Sequence, residues 1–480
     1  MSVDSLFLDE IEKVAKIVTH LLPHQQRVVE RMKKEDQPGL VVAHGLGSGK
    51  TLTSIAVQDA LGLPSTVIAP ASLKSNYLKE LRKHVKGSRQ PTSVQSLQAV
   101  TRHGMSPKSK LLVVDEAHRL RDPETKSYDV ISKAQAAKRL LLTGTPLYNR
   151  PFDLASLINI AAGQKVLPSD QTGFNKRFIS EEKVSPGIIN WLRGVRAGTK
   201  YSLNPKTSPQ LGEAAKKWVD YHAGSTENFP TVKREDVKVP MSAKQRDIYD
   251  TVMNKAPLWV RTKVRMSLPL SKTESRQINA FLAAARQVSN TTGPFDPGPE
   301  EHPKIDAAVS HLKRQFKESP RGGALVYSNY LDAGINPLKR RLAKEKIPYG
   351  EITGEMKKRD RDEAVKQYNA GKLRTLLLSS AGGEGLDLKG TRLIQLMEPH
   401  WNEEKLNQVE GRGIRFGSHA HLPPSERNVK VQHFLATKPK SGFFERIGLS
   451  SPGKGVDEYL KGMSEDKSNL NQQLRALFQK

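Results

Sequence analysis

The stretch that decides the fold is His44-Gly45-Leu46-Gly47-Ser48-Gly49-Lys50-Thr51. An apolar run, 39–43, precedes it, and a helix-like run, 52–57, follows it. A strand, a glycine-rich turn and a helix N-terminus in this order form a cradle for phosphate, because the unpaired N–H groups of the first helical turn point at the anion. Lys50 is predicted to contact the β- and γ-phosphates of a nucleotide, and the Thr51 hydroxyl to bind Mg²⁺. The alternative is a glycine-rich turn that only joins two elements.

Further nucleotide contacts are predicted around this lysine. The loop residues expected to line the phosphates are Gly45, Gly47, Ser48 and Gly49. Upstream, the Gln25 side-chain amide is both donor and acceptor, so it can read the edge of adenine; a surface glutamine is the alternative. His44 stands where the usual pattern has Gly or Ala.

Two adjacent acids directly follow another apolar run, 111–114. At the carboxyl end of a strand, Asp115 is predicted to hold Mg²⁺ and Glu116 to polarise the attacking water, and hydrolysis of a phosphoanhydride needs both roles. Adjacent acids also begin solvated helices, which is the alternative. The phosphate cradle in the same block favours the catalytic interpretation.

Two motifs in the second half of the chain also suit a nucleotide site. The small-residue turn that contains Gly385 and Asp387 allows close approach of the backbone to a ligand. Farther on, Gln408 begins the motif Gln-x-x-Gly-Arg-x-x-Arg, whose Arg412 and Arg415 share a face if both are helical. Their guanidinium groups are predicted to neutralise transition-state charge, as an arginine finger does. A basic helix that faces nucleic acid is the alternative.

The composition indicates the class of partner. The 480 residues include 77 Lys and Arg against 50 Asp and Glu, a formal net charge of +27. Such an excess predicts binding to nucleic acid, because each cation that contacts a phosphate releases a condensed counterion and thereby favours binding. A solvated basic surface is the alternative. The absence of cysteine excludes disulfides, Cys-based zinc sites and thiol catalysis. No apolar run approaches the roughly 18 residues of a membrane span, so we expect no membrane association and a soluble intracellular protein.

Short apolar runs alternate with helical patterns in two blocks. They are 40–43, 66–69, 111–114 and 140–142, then 324–327, 375–378, 393–397 and 429–434. Continuous hydrophobicity indicates burial on both faces, which is typical of parallel strands covered by helices. The fold class is therefore predicted to be α/β, with two doubly wound parallel-sheet lobes and ligands bound beyond the carboxyl ends of the strands.

The region between the blocks, roughly 150–304, is predicted to hold helical insertions. Its segment 255–286 is strongly basic. Trp191, Trp218 and Trp259 also stand in basic surroundings. Whether this region contacts nucleic acid or protein stays open at this point.

The order of the motifs resembles superfamily 2 helicases and translocases over most of the chain. The motif 142–146, Leu-Thr-Gly-Thr-Pro, and the motif 68–73, Ile-Ala-Pro-Ala-Ser-Leu, are similar to those of the Snf2-like group. The tail, 401–423 and 456–460, resembles the branch encoded by poxviruses, other large DNA viruses and phages. Asp387 departs from the Asn that is usual in Snf2 proteins, and neither it nor the departure at position 44 removes a catalytic group.

This resemblance implies two RecA-like lobes with ATP and Mg²⁺ bound in the cleft between them. Lobe 1 is expected to be 1–228, with a helical extension from about 150. Lobe 2 is expected to be 229–480, with a basic helical insertion at about 243–300. The first lobe would supply the loop and the acid pair, and the second the arginine pair. Such a protein is expected in the cytoplasm of a bacterial or virus-infected cell, wherever the DNA lies.

Six residues that follow strands are the predicted contacts with nucleic acid. They are Ser72, Lys74, Ser96, Ser328, Asn329 and Thr353. Hydroxyl and amide contacts to phosphates fix the register of a protein on a duplex without reading its sequence.

The leading hypothesis is an ATP-dependent translocase or helicase that moves along double-stranded or branched DNA. The alternatives are a strand-separating DNA or RNA helicase, an accessory ATPase of transcription or packaging bound to nucleic acid, and a motor coupled to a nuclease on another chain. A base-stacking wedge would favour strand separation. Aromatic residues, however, are only 6% of the chain, and no ladder of alternating basic and aromatic residues stands out.

Overall fold

The computed structural model describes residues 16–17, 20–45, 47–86, 90–104, 109–144, 150–224, 229–271, 274–380, 386–400, 403–439 and 453–479. The chain divides into two compact units. The first comprises Met1–Ser180, Ser202–Ser225 and Asn469–Lys480, and the second comprises Glu181–Tyr201 and Thr226–Ser468. The expected boundary at 228/229 would place 181–201 in the first unit and 469–480 in the second. The contacts group them the other way round.

The strands, in chain order, are β1 (Lys16–Ile17), β2 (Gly39–His44), β3 (Ser65–Ile68), β4 (Val85–Lys86), β5 (Thr92–Gln95), β6 (Leu111–Val114), β7 (Lys138–Thr143), β8 (Ile179–Val184), β9 (Gly198–Leu203), β10 (Val219–His222), β11 (Thr231–Pro240), β12 (Gly323–Ser328), β13 (Tyr349–Ile352), β14 (Thr375–Ser379), β15 (Thr391–Leu396) and β16 (Asn428–Thr437).

The α-helices are α1 (Pro23–Lys33), α2 (Lys50–Leu61), α3 (Lys74–His84), α4 (Leu97–His103), α5 (Lys126–Ser132), α6 (Phe152–Ala162), α7 (Gln171–Phe178), α8 (Ile188–Leu192), α9 (Ser208–Trp218), α10 (Ala243–Asn254), α11 (Leu258–Met266), α12 (Glu274–Val288), α13 (Pro303–Glu318), α14 (Asn336–Lys344), α15 (Lys358–Asn369), α16 (Glu403–Gly413) and α17 (Val456–Gln479). Short 3₁₀ turns lie at Ala71–Leu73, Ala117–Leu120 and Pro424–Glu426, and a π turn at Leu331–Ile335.

The first unit is built on a six-stranded sheet in the order β10-β2-β7-β6-β3-β5, with every pair parallel. Alternate residues of a strand enter opposite cores, since successive side chains point to opposite faces. Leu40 and Val42 pack with α1, α2 and α3, whereas Val41 and Ala43 pack in the core that α6 dominates. Burial on both faces explains why β2 reads as a continuous apolar run.

The second unit repeats this plan with the order β11-β16-β15-β12-β14-β13, again all parallel. Ala324 and Val326 of β12 pack against α13 and α14, and Leu325 and Tyr327 pack against the opposite core. The predicted α/β class with two doubly wound parallel sheets is therefore confirmed.

The eight apolar runs correspond to the four inner strands of each sheet. The four edge strands, β10, β5, β11 and β13, were not predicted. An edge strand is only partly covered and has no continuous apolar run; every residue of β11, for example, is exposed or half-buried.

Outside the two sheets, helices α10, α11 and α12 pack with the start of α17 in a separate core of the second unit. These helices fall within the predicted basic insertion. Lys263 is nevertheless buried there and forms an ion pair with Glu274 at 2.6 Å. Among the residues that the structure describes, no helix is both long and apolar enough to span a membrane.

Candidate nucleotide site

The loop between β2 and α2 needs glycine for two physical reasons. Gly47 and Gly49 have φ angles of 72° and 74°, in the left-handed region that glycine adopts without strain. Gly45 N donates to the His222 carbonyl at 2.8 Å, and a β-carbon on Gly45 would overlap the carbonyl oxygen of Ala223. The turn brings the N-terminus of α2, the positive end of its dipole, to the carboxyl end of β2.

Side chains from the loop and from α1 hold this turn in place. The Ser48 hydroxyl donates to the Gly45 carbonyl at 2.8 Å. His24 Nε2 and Gln25 Nε2 donate to the Ser48 carbonyl at 2.9 and 3.1 Å. Gln25 Oε1 in turn accepts from Leu22 N at 2.9 Å. Both ends of the buried Gln25 amide thus have protein partners, so Gln25 supports the loop, and its contact with adenine stays a prediction.

Lys50 and Thr51 are the first two residues of α2, and both are half-buried. Lys50 Nζ donates to the carbonyl oxygens of His44 and Gly45, at 3.0 and 3.1 Å. The ammonium group therefore lies directly against the phosphate loop, where a lysine of this motif is required.

Asp115 directly follows β6, where its N–H donates to the Ile68 carbonyl at 2.8 Å. Burial, followed by the charge of Glu116, raises the pKa of Asp115 to about 6, while the charge of Lys50 opposes this rise. Lys50 also acts to lower the pKa of Glu116. The structure thus brings the predicted lysine and the predicted acid pair into one electrostatic neighbourhood.

Glu116 has a left-handed backbone, with φ of 52°. Its Oε2 lies 3.3 Å from His118 Nδ1. Burial acts to raise the pKa of Glu116, but the hydrogen bond and the charge of His118 outweigh it, so the pKa is lowered overall. A carboxylate that stays ionised suits a group that polarises water. His118 Nδ1 also lies 3.5 Å from the Thr143 hydroxyl at the end of β7; Thr145 of the same motif lies outside the described residues.

The donor set of Thr51 and Asp115 fits Mg²⁺. Mg²⁺ keeps several waters and binds one or two carboxylates plus substrate phosphates, so one hydroxyl and one carboxylate are an adequate protein contribution. Within the described part of the chain, no cluster of three or more His, Asp or Glu side chains could hold a metal by itself. Any ion here would therefore rely on phosphate oxygens and water.

The unusual His44 is explained by a residue of the edge strand β10. His44 Nε2 lies 2.8 Å from Asp220 Oδ1, and both side chains are buried. Asp220 also accepts from Arg27 at 2.7 and 2.8 Å and from Arg31 at 3.3 Å. Burial alone would raise the pKa of Asp220, but the hydrogen bonds and charges of Arg27 and His44 hold it well below its usual range. Asp220 lies 176 residues from His44, and no local pattern in the sequence indicated it.

Three histidine rings meet behind the phosphate loop. His24 and His222 stack with ring centroids 4.0 Å apart, and His44 meets them edge-on at 5.2 and 5.6 Å. Burial lowers the pKa of both His44 and His222. Repulsion from the charges of the neighbouring rings adds to this lowering of the pKa of His44 and of His222. The cluster connects α1, β2 and β10 around the base of the loop.

In the second unit, Gln408 and Arg412 lie on α16, but the helix ends at Gly413. Arg415 lies beyond it, so the condition for a shared helical face, that both arginines are helical, is not met. Instead of continuing the helical ladder, Arg415 N donates to the Ser418 hydroxyl at 3.2 Å. A side-chain acceptor downstream thus ends the helix before the second arginine.

Asp387 and Arg415, which were predicted separately, are neighbours. Arg415 Nη1 lies 3.8 Å from Asp387 Oδ1, and Arg415 Nε donates to the Gly411 carbonyl at 2.9 Å. Burial lowers the pKa of the Arg415 guanidinium, and Asp387 opposes this effect. Leu388 N donates to the Arg412 carbonyl at 3.1 Å, which connects the same loop to α16. Gly385 lies outside the described residues.

The predicted nucleic-acid contacts of the first unit lie after strands, at the carboxyl edge of its sheet. Ser72 lies in the 3₁₀ turn after β3, and Lys74 is the first residue of α3. Ser96 follows β5 and caps α4, since its hydroxyl accepts from Ala99 N at 3.2 Å. This carboxyl edge is where open α/β sheets bind their ligands.

Two of the three contacts predicted in the second unit, Ser328 and Asn329, meet an acid that sequence reasoning missed. Glu398, which is buried, accepts from the Ser328 hydroxyl at 2.7 Å and from Asn329 N at 2.8 Å. Asn290 Nδ2, from the segment after α12, also donates to Glu398. Ser328 is itself buried, so a phosphate contact from its hydroxyl gains no support. Thr353 directly follows β13. The available signal for Glu398 was an acid just after an apolar run, as at Asp115.

Comparison with known proteins agrees with this arrangement. The model of the SNF2-related domain matches residues 91–293, and that of the Helicase conserved C-terminal domain matches residues 304–417. The chain is 31% identical over 461 residues to "Putative ATP-dependent RNA helicase L538" of Acanthamoeba polyphaga mimivirus, covering 93% of this chain and 94% of that protein. It is 26% identical to the "Termination factor NPH-I homolog" of African swine fever virus, covering 93% and 76%.

Among solved structures, the SWI2/SNF2 ATPase core of Sulfolobus solfataricus in complex with dsDNA aligns over 96% of this chain and 97% of its own length. The sequence identity of that alignment is 18% and its TM-score is 0.37.

The matched sequence families, together with the two parallel-sheet units, define the class: this is a nucleic-acid-dependent ATPase with two RecA-like lobes, an enzyme that hydrolyses ATP. Within that class, the chain belongs to the Snf2-like group of superfamily 2 helicases and is related to the helicases of large DNA viruses.

Proposed function

We propose that this ATPase is a translocase that moves along double-stranded or branched DNA. One observation carries its ATP chemistry: the phosphate loop and the acid pair stand at the carboxyl edge of one sheet, and the charge of Lys50 acts on both Asp115 and Glu116. The net charge of +27 supports a polyanionic partner. The Leu-Thr-Gly-Thr-Pro motif at 142–146, which resembles Snf2 proteins, supports duplex DNA as that partner.

The first unit would bind the nucleotide and activate water. Lys50 and the loop N–H groups hold the β- and γ-phosphates, and Thr51 with Asp115 holds Mg²⁺, which when bound neutralises phosphate charge. Glu116, kept ionised by His118, orients the attacking water and accepts its proton.

The second unit would complete the reaction. Arg412 and Arg415 stabilise the charge that develops on the transferred phosphoryl group. Hydrolysis then requires residues of both units, so each turnover can be coupled to a change in their arrangement and thereby to movement along DNA. Asn329, Thr353, Lys74 and Ser96 are the proposed phosphate contacts.

The testing experiment compares ATP turnover with blunt duplex DNA, forked DNA, single-stranded DNA and single-stranded RNA at several salt concentrations. We expect the duplex and forked DNA to stimulate turnover most, with a steep loss as salt rises because phosphate contacts release counterions. Displacement of a third strand from a DNA triplex then reports movement without strand separation. Stimulation by single-stranded RNA in the absence of stimulation by duplex DNA would refute the proposal.

A strand-separating helicase is the second candidate, since one relative is named as an RNA helicase. The observation that favours strand separation is an exposed apolar surface on α8 of the second unit.

A further inference from the structure

An apolar surface lies in the segment that connects β8 to β9. Helix α8 is only five residues long, and four of its side chains are exposed to solvent. We call them the apolar tip: Ile188 (79% exposed), Ile189 (67%), Trp191 (63%) and Leu192 (72%). Of the three tryptophans noted in basic surroundings, Trp218 is buried and Trp259 contacts Phe281. Trp191 is the one that presents its ring to solvent.

The exposure of the apolar tip follows from the local geometry. Glycines bound the short helix, Gly187 with φ of 85° and Gly194 with φ of 78°. The chain turns sharply at both, and Pro186 and Val195 are the neighbours that become buried. Asn190 Nδ2 donates to the Pro186 carbonyl at 2.9 Å, which closes the turn. The inward positions of this turn are thus filled by Pro186 and Val195, and the four side chains of the tip are left mostly exposed.

The base of this segment is held by α11 and the chain that follows it. Thr199 N donates to the Leu270 carbonyl at 3.2 Å. Gly198 lies so close to Pro269 that a β-carbon there would overlap the Pro269 carbonyl oxygen. Met266, half exposed, contacts the turn through its sulfur. The apolar tip is therefore presented on an anchored support.

Exposed cations flank the apolar tip in the sequence. The exposed basic residues nearest to it in the sequence are Lys183, Arg193, Arg196 and Lys200, and the exposed acids of the same segment are Glu181 and Glu182. Arg265, next to Met266, is also exposed. Apolar side chains bordered by cations match a nucleic acid whose bases are accessible, because base faces are apolar and phosphates lie close beside them.

We propose that the apolar tip binds the junction at which a nucleic-acid duplex opens. Trp191 stacks on the first accessible base, and the aliphatic side chains cover the end of the base-paired stack. The flanking arginines and lysines hold the adjacent phosphates. This inference rests on the proposed action on nucleic acid and adds its substrate class: forks and branch points, in preference to uninterrupted duplex.

The test measures binding, so that it does not depend on strand separation. Fluorescence anisotropy compares the affinity of the full chain for a forked DNA and for a blunt duplex of the same sequence, and 2-aminopurine at the junction reports stacking. We expect the parent to bind the fork about fivefold more tightly or better, the contribution of one stacked base. The variant with Ile188→Ser, Ile189→Ser, Trp191→Ala and Leu192→Ser should lose this preference and the junction signal, and retain its affinity for blunt duplex.

Two further variants keep the test decisive. Leu258→Ser removes another exposed leucine of the same unit, 42% exposed and outside the tip, and should behave as the parent. Trp191→Phe retains an aromatic face and should keep the fork preference. A parent that binds both DNAs equally, or a tip variant that still prefers the fork, would overturn the proposal. The second result would assign the tip to a protein partner instead. The proposed function fails by a different result: neither duplex nor forked DNA stimulates ATP turnover of the parent.

Discussion

The two units share one architecture and differ in what stands at the carboxyl ends of their strands. Each has six parallel strands with apolar inner strands between two helical layers. The first unit places a glycine loop, an ammonium group and two acids there, whereas the second places the buried Glu398 with Asn329 there. The Asp387–Arg415 pair of the second unit lies near the amino end of β15, since Gly390 N donates to the Ser418 carbonyl and Asn369, the last residue of α15, donates to the Asp387 carbonyl. One fold therefore serves two kinds of chemistry, because the strands supply positions and the loops supply functional groups.

The contrast also concerns how firmly each region is held. In the first unit, the loop carbonyls accept hydrogen bonds from His24, Gln25 and Lys50, and the ionic cluster around Asp220 lies behind them. In the second, the four side chains of the apolar tip are 63–79% exposed. A nucleotide site needs groups that are already in place, whereas a surface that meets a partner can leave apolar groups exposed. The following predictions test this division.

The largest effect is expected from Arg412→Ala. Loss of an arginine finger should lower ATP turnover by about 10³-fold or more, while binding of a fluorescent ATP analogue changes little, because the phosphate loop belongs to the first unit. Arg314→Ala, an exposed arginine of the same unit, is the matched control. Equal turnover in both variants would mean that the second unit contributes no charge to the reaction.

Glu116→Gln should lower turnover by roughly 10²- to 10⁴-fold, the usual contribution of general base catalysis. The amide keeps the shape of the side chain but cannot accept the proton from water, so nucleotide affinity should remain. Single-turnover hydrolysis and nucleotide titration measure the two quantities separately. Glu30→Gln, an exposed acid on α1, should be without effect, and unchanged turnover in Glu116→Gln would contradict the assigned role.

Substitution of one buried carboxylate in each unit distinguishes support of the phosphate loop from a general contribution to stability. Asp220→Asn and Asp457→Asn each remove a buried charge from its cation; Asp457 lies 2.7 Å from Lys304 Nζ. Both should lose roughly 3 kcal/mol in the free energy of unfolding, measured in urea. Only Asp220→Asn should also weaken nucleotide binding, by about tenfold, since Asp220 holds His44 and α1 behind the phosphate loop. Equal nucleotide affinities in the two variants would show that Asp220 does not support the phosphate loop.

The smallest effect concerns pH. The pKa of His44 is lowered in the folded protein, so below the ordinary pKa of about 6.5 the unfolded chain binds a proton that the folded chain does not. The associated stability is therefore present above pH 6.5 and is lost as the pH falls through the folded-state pKa. His44→Gln should reduce the fall in unfolding free energy between pH 7 and pH 5.5. His103→Gln, an exposed histidine of the same unit, should leave that slope as it is in the parent.

Much of the site was predictable because its parts are local. The cradle at 45–51 is a contiguous strand, turn and helix, and Asp115 and Glu116 directly follow an apolar strand. The inner strands were found for the same reason, since burial on both faces leaves an unbroken apolar run. The edge strands lack that signal, and they were missed together with Asp220, which lies on one of them.

The sequence by itself determined the class of the fold, the phosphate loop and the acid pair, because each is encoded by neighbouring residues and by the geometry of one strand or one turn. Only the tertiary structure decided that His44 meets Asp220, that α16 ends before Arg415, that Ser328 is buried against Glu398, and that Trp191 faces solvent. These outcomes depend on side chains distant in sequence and on where the chain turns, and their free energies arise from contacts that exist only after the units have packed.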